Sequence, residues 1–153
     1  MKYRILVVDD EPDILTTLRE GLLALLDIPC EVETAGTGEE ARQRLDGEDR
    51  GYDMVISDER MPGLRGIELL EWLRLTAPRT VRVLMTAYRE GTVGQEAVNR
   101  AAAHLLLYKP FSFDEIMPQL RRALTDKARR DEQERSLERA LRSFRRLADG
   151  LGN

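Results

Sequence analysis

The chain has 153 residues, 42% hydrophobic and 34% charged, which is enough for one domain with a sizeable core. It has one cysteine, no apolar run near the roughly 20 residues that span a bilayer, and no signal-peptide pattern after Met1, so we expect a cytoplasmic protein without a membrane partner. The net charge is −4; residues 127–153 carry +3 and the remainder −7, which disfavours nucleic acid as a partner.

The first half of the chain alternates short apolar runs with amphipathic stretches, the pattern of repeated strand–helix units. Strands are predicted at residues 3–8, 31–35 and 52–57. A helix is predicted at 12–26, with its inner face formed by Ile14, Leu15, Leu18, Leu22 and Leu25. Thr37 and Glu40 form a capping box that opens a second helix. A third helix follows a turn-rich loop and ends before Pro78.

The second half continues the alternation, with strands predicted at 81–85 and 105–108. Residues 90–103 predict a weak helix, because they include two glycines and few large apolar side chains. Ser112 and Glu115 form another capping box, and Pro118 is expected to bend the helix that follows or to delay its start. The whole pattern predicts an α/β fold, a three-layer doubly wound (βα)5 sandwich with a five-stranded parallel sheet.

A change in composition near Asp126 predicts a domain at 1–126 and a charged helical extension at 127–153. Apolar residues in the extension resume only at Leu137, Leu141, Phe144 and Leu147. The extension could lead into an output domain outside this sequence, form a homodimer, or use its arginines to bind an acidic partner. We favour a solvated helix with a dimer-forming stripe.

Four charged residues follow buried apolar runs: Asp9 and Asp10 the first, Asp58 the second and Lys109 a third. Because the carboxyl ends of parallel strands share one edge of a sheet, these side chains are expected to meet there. Carboxylates packed so closely need a positive partner, and a divalent cation is the simplest one. Lys109 then has a role if a further anion arrives, most simply a phosphoryl group.

The chain resembles the receiver domains of bacterial two-component response regulators, the CheY-like family with a flavodoxin-like fold. The motifs that carry the resemblance are Ile-Leu-Val-Val-Asp-Asp-Glu-Pro at 5–12, Asp-Glu-Arg-Met-Pro-Gly at 58–63, Met-Thr-Ala at 85–87 and Lys-Pro-Phe at 109–111. The resemblance covers about residues 1–126. It implies a phosphorylation switch that catalyses only its own phosphorylation and dephosphorylation, with a sensor histidine kinase or phosphotransfer protein as partner.

The resemblance also implies roles for individual residues. Asp58 is similar to the phosphoacceptor, and Asp10 to a direct Mg²⁺ ligand, with Asp9 acting mainly through water. The backbone carbonyl of Arg60 would be a further metal ligand. Thr86 is similar to the switch hydroxyl, with the Ala87 backbone amide beside it. Lys109 is similar to the ammonium that pairs with the phosphoryl group.

One position departs from the family pattern. Receivers often place an aromatic residue three positions before the lysine, where this chain has Leu106. Tyr108 directly precedes Lys109, so we expect its side chain to point to the other face of the strand, which puts the usual threonine–aromatic coupling in doubt. Arg60 and Tyr88 are expected to flank the path of attacking water and to slow hydrolysis of the aspartyl phosphate.

Two other classes of function compete. A phosphorylation-independent interaction module would use the fold and its extension as a scaffold, and Leu106 mildly favours it. A phosphatase with an aspartate nucleophile would place a second aspartate two residues later, where this chain has Arg60. His104 is the single histidine, so a zinc or haem site has almost no support.

Overall fold

The computed structural model describes residues 2–47, 50–87 and 91–152. Strands and helices alternate throughout. In chain order they are β1 (Tyr3–Val8), α1 (Pro12–Leu25), β2 (Cys30–Ala35), α2 (Gly38–Asp46), β3 (Met54–Asp58), α3 (Gly66–Thr76), β4 (Val81–Thr86), α4 (Val93–Asn99), β5 (Leu105–Tyr108) and α5 (Phe113–Leu151).

The five strands form one parallel sheet in the order β2-β1-β3-β4-β5, which is the predicted doubly wound fold. One apolar layer lies between the sheet and α1 with α5, and includes Val7, Leu22 and Leu120. The other lies on the opposite face, beneath α2, α3 and α4, and includes Leu6 and Leu70. Because both faces are covered, the central strands β1, β3 and β4 consist mainly of buried apolar residues. The switch in strand order, between β1 and β3, marks the crevice where such folds bind ligands.

Helix α1 differs from its prediction at its C-terminal end. Leu25, expected on the inner face, is 48% exposed, whereas Leu26 is fully buried just after the helix. Asp27 follows with a positive φ of 60°, so the backbone turns away from helical geometry there. The buried positions therefore follow a spacing of four residues through Leu18, Leu22 and Leu26, and the inclusion of Leu25 in the inner face is wrong.

Both predicted N-terminal caps form. Thr37 Oγ1 accepts from the Glu40 backbone N–H at 3.0 Å, although the Glu40 carboxylate accepts from Gly36 rather than from Thr37 itself. Ser112 Oγ accepts from the Glu115 N–H at 3.3 Å, so α5 begins at Phe113. Pro118 lies inside α5, and the expectation that it delays the start of the helix is wrong.

Helix α5 runs without a break from the sheet into the extension and ends at Leu151. Its first turns beyond Asp126 still contact the body of the fold: Lys127 is buried and pairs with Asp53 at 3.2 Å. Glu134 pairs with Arg79, just before β4. The boundary near Asp126 stays a prediction. Among the described residues, none of the helices is both long and apolar enough to cross a bilayer.

Helix α4 is shorter than its prediction, which began at Glu90, a residue outside the described part of the chain. It covers seven residues, and Ala102 beyond it has a positive φ of 46°. The buried Arg82 guanidinium supports this turn by donating to the carbonyl oxygens of Ala101 and Ala102 at 2.9 and 3.2 Å. The weak helical propensity of this segment is therefore supplemented by hydrogen bonds from β4.

His104 has a structural role beside the same turn. Its Nδ1 accepts from the Arg82 backbone N–H at 2.9 Å, which only the neutral ring can do. Partial burial, followed by the charges of Arg82 and Arg130, lowers the pKa of His104 from 6.5 to about 4.

We therefore expect acid to weaken the fold through His104. Between pH 6.5 and pH 4 the unfolded chain protonates this ring while the folded chain does not, so the free energy of unfolding falls as the pH falls. Urea unfolding at several pH values should show a smaller loss across this window for His104→Asn than for the parent. Equal losses in the two proteins would contradict this assignment.

Candidate functional site

The carboxyl ends of four strands bring the predicted charged and hydroxyl side chains to one edge of the sheet. Asp9 and Asp10 directly follow β1, Asp58 is the last residue of β3 and Thr86 the last of β4. Lys109 directly follows β5 and is separated from Asp9 by a hundred residues of sequence. The parallel register of the sheet therefore assembles the site from distant parts of the chain.

The acidic residues and the lysine are in contact. Lys109 Nζ donates to Asp58 Oδ1 at 2.9 Å and to Asp9 Oδ2 at 3.4 Å. Asp9 is fully buried and its other oxygen accepts from the Glu11 N–H at 2.9 Å, whereas Asp10 is exposed. Asp58 is buried but for 8% of its surface.

The electrostatics of the cluster reflect crowding of like charges. Burial raises the pKa of Asp58, and Asp9 and Asp10 raise it further, while Lys109 opposes them. Burial lowers the pKa of Lys109, but its contacts with Asp58 and Asp9 outweigh that effect, and the pKa is raised overall. The site therefore holds more negative charge than one ammonium balances, which favours binding of a cation.

Ligand atoms for a metal ion are available. One carboxylate oxygen from each of Asp9, Asp10 and Asp58 can be chosen so that all lie within 4.8 Å of one another. An all-oxygen set with one exposed member suits Mg²⁺, which prefers oxygen ligands and keeps several waters. Arg60, whose carbonyl is the further predicted ligand, is an exposed residue two positions beyond Asp58.

Thr86 and Ala87 lie at the same edge. Thr86 is buried, and its carbonyl oxygen accepts from the Lys109 N–H at 2.8 Å, which fixes the two strand ends relative to one another. Ala87 and Lys109 line an open apolar depression of about 590 Å³, together with Ile14, Leu18 and Phe111. Tyr88, expected beside the path of attacking water, lies outside the described residues.

The expectation for Tyr108 needs a correction. It was set apart from Leu106 because it directly precedes Lys109, yet residues two apart in a strand share a face. In the structure both lie near α4: a methyl group added to Gly94 would be 3.7 Å from the Tyr108 hydroxyl oxygen and 3.9 Å from Leu106 Cδ1. Tyr108 therefore lies on the same face of β5 as Leu106, two residues further along the strand, and the expectation that it points to the other face is wrong.

Sequence reasoning missed Glu59 and Arg65. Glu59 is 2% exposed, accepts from the Ile67 N–H at 3.0 Å and pairs with Arg65 at 2.5 Å. The hydrogen bond from Arg65 to Glu59 raises the pKa of the arginine. An acid directly after a buried strand was the available signal, but the loop that folds Arg65 back is not evident from periodicity.

Comparison with known proteins agrees with this fold. A family model for the response regulator receiver domain matches residues 5–121. The signal receiver domain of an HD domain-containing protein from Pseudomonas fluorescens is 29% identical in sequence and has a TM-score of 0.76, over 84% of this chain and 98% of that one.

Curated relatives are longer than this chain. The transcriptional regulatory protein TcrA of Mycobacterium tuberculosis is 36% identical over 118 residues, which are 77% of this chain and 44% of TcrA. The hydrogenase transcriptional regulatory protein HoxA of Cupriavidus necator is 32% identical over 120 residues, covering 78% of this chain and 24% of HoxA. The chain thus spans less than half the length of each of these relatives.

Proposed function

Because the chain belongs to the response regulator receiver family of two-component systems, we propose that Asp58 accepts a phosphoryl group from a partner kinase and that the domain acts as a phosphorylation switch. The observation that carries this proposal is the contact of Lys109 with both Asp9 and Asp58, beside the exposed Asp10. That arrangement combines a nucleophilic carboxylate, a set of metal ligands and a cation for the transferred group.

The chemistry follows from the positions of the side chains. An Asp58 oxygen attacks the phosphorus of a phosphohistidine, the new O–P bond forms as the N–P bond breaks, and the imidazole nitrogen leaves. The Lys109 ammonium, which donates a hydrogen bond to Asp58, would pair with the phosphoryl oxygens. Thr86 would donate its hydroxyl hydrogen to the same oxygens, and Ala87 its backbone N–H.

We assign the metal site to Asp9, Asp10, Asp58 and the Arg60 carbonyl, with Mg²⁺ as the ion. When bound, Mg²⁺ supplies charge neutralisation for the transferred group and for the crowded carboxylates. The acids themselves hold and orient it. No general base is needed, because the attacking carboxylate carries no proton to remove.

The partner we propose is a sensor histidine kinase or a phosphotransfer protein in the cytoplasm. A protein donor that reached Asp58 would cover the apolar depression lined by Ile14 and Phe111. We assign the switch to residues 1–126 and treat the helical extension as the route to output, either to a further domain or to a second copy. The domain would turn over only its own phosphoryl group.

Incubation with acetyl phosphate and Mg²⁺ tests the proposal without knowledge of the kinase. We expect intact-mass spectrometry to show one added phosphoryl group, and we expect a chelator to suppress it because the crowded carboxylates would be left without their cation. Metal binding without modification would favour the scaffold class. Rapid multiple turnover of small phosphate esters would favour the hydrolase class.

The helical extension has a face suited to a second copy of the chain. Its large apolar side chains are 50–88% exposed: Leu137, Leu141, Phe144, Leu147 and Leu151. The seam positions repeat at alternating spacings of three and four, as in a coiled coil: Leu137, Ala140, Phe144, Leu147 and Leu151. We propose that two copies pair along this face.

Sedimentation equilibrium checks the pairing. The parent is expected to associate as its concentration rises, and Phe144→Glu to remain monomeric because a carboxylate would be buried in the seam. Arg142→Glu, which changes a charge outside the seam, should associate like the parent. A monomeric parent at every concentration would exclude this dimer.

A further inference from the structure

The residue that follows the acceptor is unusually well fixed. The Glu59 N–H donates to the Met85 carbonyl at 2.9 Å and its own carbonyl accepts from the Gly66 N–H at 3.1 Å. Its carboxylate accepts from the Ile67 N–H at 3.0 Å, at the positive N-terminal end of α3. The main chain and the side chain of Glu59 therefore both connect the end of β3 to α3, so a displacement of Asp58 would also move the start of α3.

Arg65 continues this connection towards α4. Its guanidinium pairs with Glu59 at 2.5 Å and lies 3.8 Å from the Glu96 carboxylate on α4. The Glu59 side chain is 3% exposed, so its negative charge needs the Arg65 guanidinium as a partner. The Glu96 side chain is 31% exposed, so water can replace Arg65 as its partner. We call these three residues the Glu59–Arg65–Glu96 bridge.

Helix α4 is weakly held by its own residues. It has seven residues, and its N-cap residue Thr92 makes no side-chain capping hydrogen bond. Because a helix this short is marginal by itself, its position depends on contacts from outside. An ion pair from Arg65 is therefore a larger share of what orders α4 than the same pair would be on a long helix.

We propose that the Glu59–Arg65–Glu96 bridge couples the acceptor site to α4, with Arg65 as a positioning residue that holds α4 in the position seen here, and that this position slows phosphorylation of Asp58. The proposal rests on the proposed function, in which Asp58 is the acceptor. Coupling between two sites acts equally in both directions, so breaking the contact between Arg65 and Glu96 should change events at Asp58.

The structure offers a matched control on the same helix. Arg100 also pairs with Glu96, at 3.4 Å, and with Glu71 of α3 at 2.9 Å. Neither contact involves Glu59. Arg100→Gln thus removes ion pairs from α4 without touching the connection to the acceptor strand.

The experiment compares Glu96→Gln and Arg100→Gln, each alone and combined with Arg65→Gln. We expect Glu96→Gln to raise the initial rate of phosphorylation by acetyl phosphate about two- to fivefold, the range for partly exposed ion pairs. Arg100→Gln should leave that rate at the parent value. In the Arg65→Gln background, Glu96→Gln should add nothing. Equal effects of Glu96→Gln and Arg100→Gln, or a Glu96→Gln effect that survives without Arg65, would overturn the proposal.

A second readout separates this proposal from the proposed function. Hydrogen exchange of the amides in residues 93–99 needs no phosphoryl donor, and Arg65→Gln should speed it about two- to fivefold. Unchanged exchange would refute the bridge even if Asp58 is phosphorylated. A parent that takes no phosphoryl group would refute the proposed function but leave the exchange result to decide the bridge.

Discussion

Replacing Asp58 with asparagine is expected to abolish phosphorylation by acetyl phosphate while leaving the fold intact. The amide lacks the anionic oxygen that attacks phosphorus, so residue 58 can no longer accept the group. Burial and the neighbouring Asp9 and Asp10 raise the pKa of Asp58, which means that its negative charge is unfavourable there. The fold should therefore survive replacement of this carboxylate by a neutral amide. Intact-mass spectrometry and circular dichroism together check both expectations.

Asp46→Asn is the matched control. Asp46 is an exposed residue at the end of α2, outside the charged cluster, and the same chemical change there should leave phosphorylation at the parent level. If Asp58→Asn still gained a phosphoryl group at the parent rate, the acceptor would have to be another residue.

Gly66→Ala is expected to damage both stability and phosphorylation. A methyl group at this position would overlap the Asp58 carbonyl oxygen and would lie 2.9 Å from Leu84 Cδ1. Since the first obstacle is backbone, a shift of the loop or of β3 is required, at a cost of about 3 kcal/mol for overpacking. The free energy of unfolding from urea titration should fall by roughly that amount, and the rate of Asp58 phosphorylation should fall at least about tenfold.

A glycine-to-alanine substitution at another position is expected to raise the free energy of unfolding. Gly150 lies inside α5 with nothing near the position of an added methyl group. Gly150→Ala should therefore stabilise the chain, by up to about 1 kcal/mol from helix propensity. A Gly66→Ala protein as stable as the parent would show that β3 and α3 are packed less closely than the structure indicates.

The sequence predicted the order of elements well because buried strands and amphipathic helices have distinct periods. Strand β5 has the predicted bounds, and the family resemblance is confirmed. Errors fall where tertiary contacts outweigh the local pattern. The predicted inner face of α1 includes Leu25, but Leu26, four residues after the buried Leu22, enters the core instead.

The site likewise contains residues that the sequence could place and residues that it could not. Asp9, Asp10, Asp58 and Lys109 could be placed together from the sequence, because strand ends in a parallel sheet meet at one edge. Their proposed roles stay predictions. Glu59 and Arg65 could not be placed, since their contact depends on how the loop before α3 folds back, which no periodicity encodes. Short loops are set by particular hydrogen bonds, and those become visible only in the structure.

Borohydride trapping tests the central claim most directly. Treating the protein with acetyl phosphate and Mg²⁺ and then with borohydride reduces an aspartyl phosphate to homoserine, which peptide mass spectrometry can locate. We predict homoserine at position 58, dependent on Mg²⁺ and absent without the phosphodonor. Homoserine at another aspartate, or unmodified Asp58 in a protein that has gained phosphoryl mass, would contradict the account.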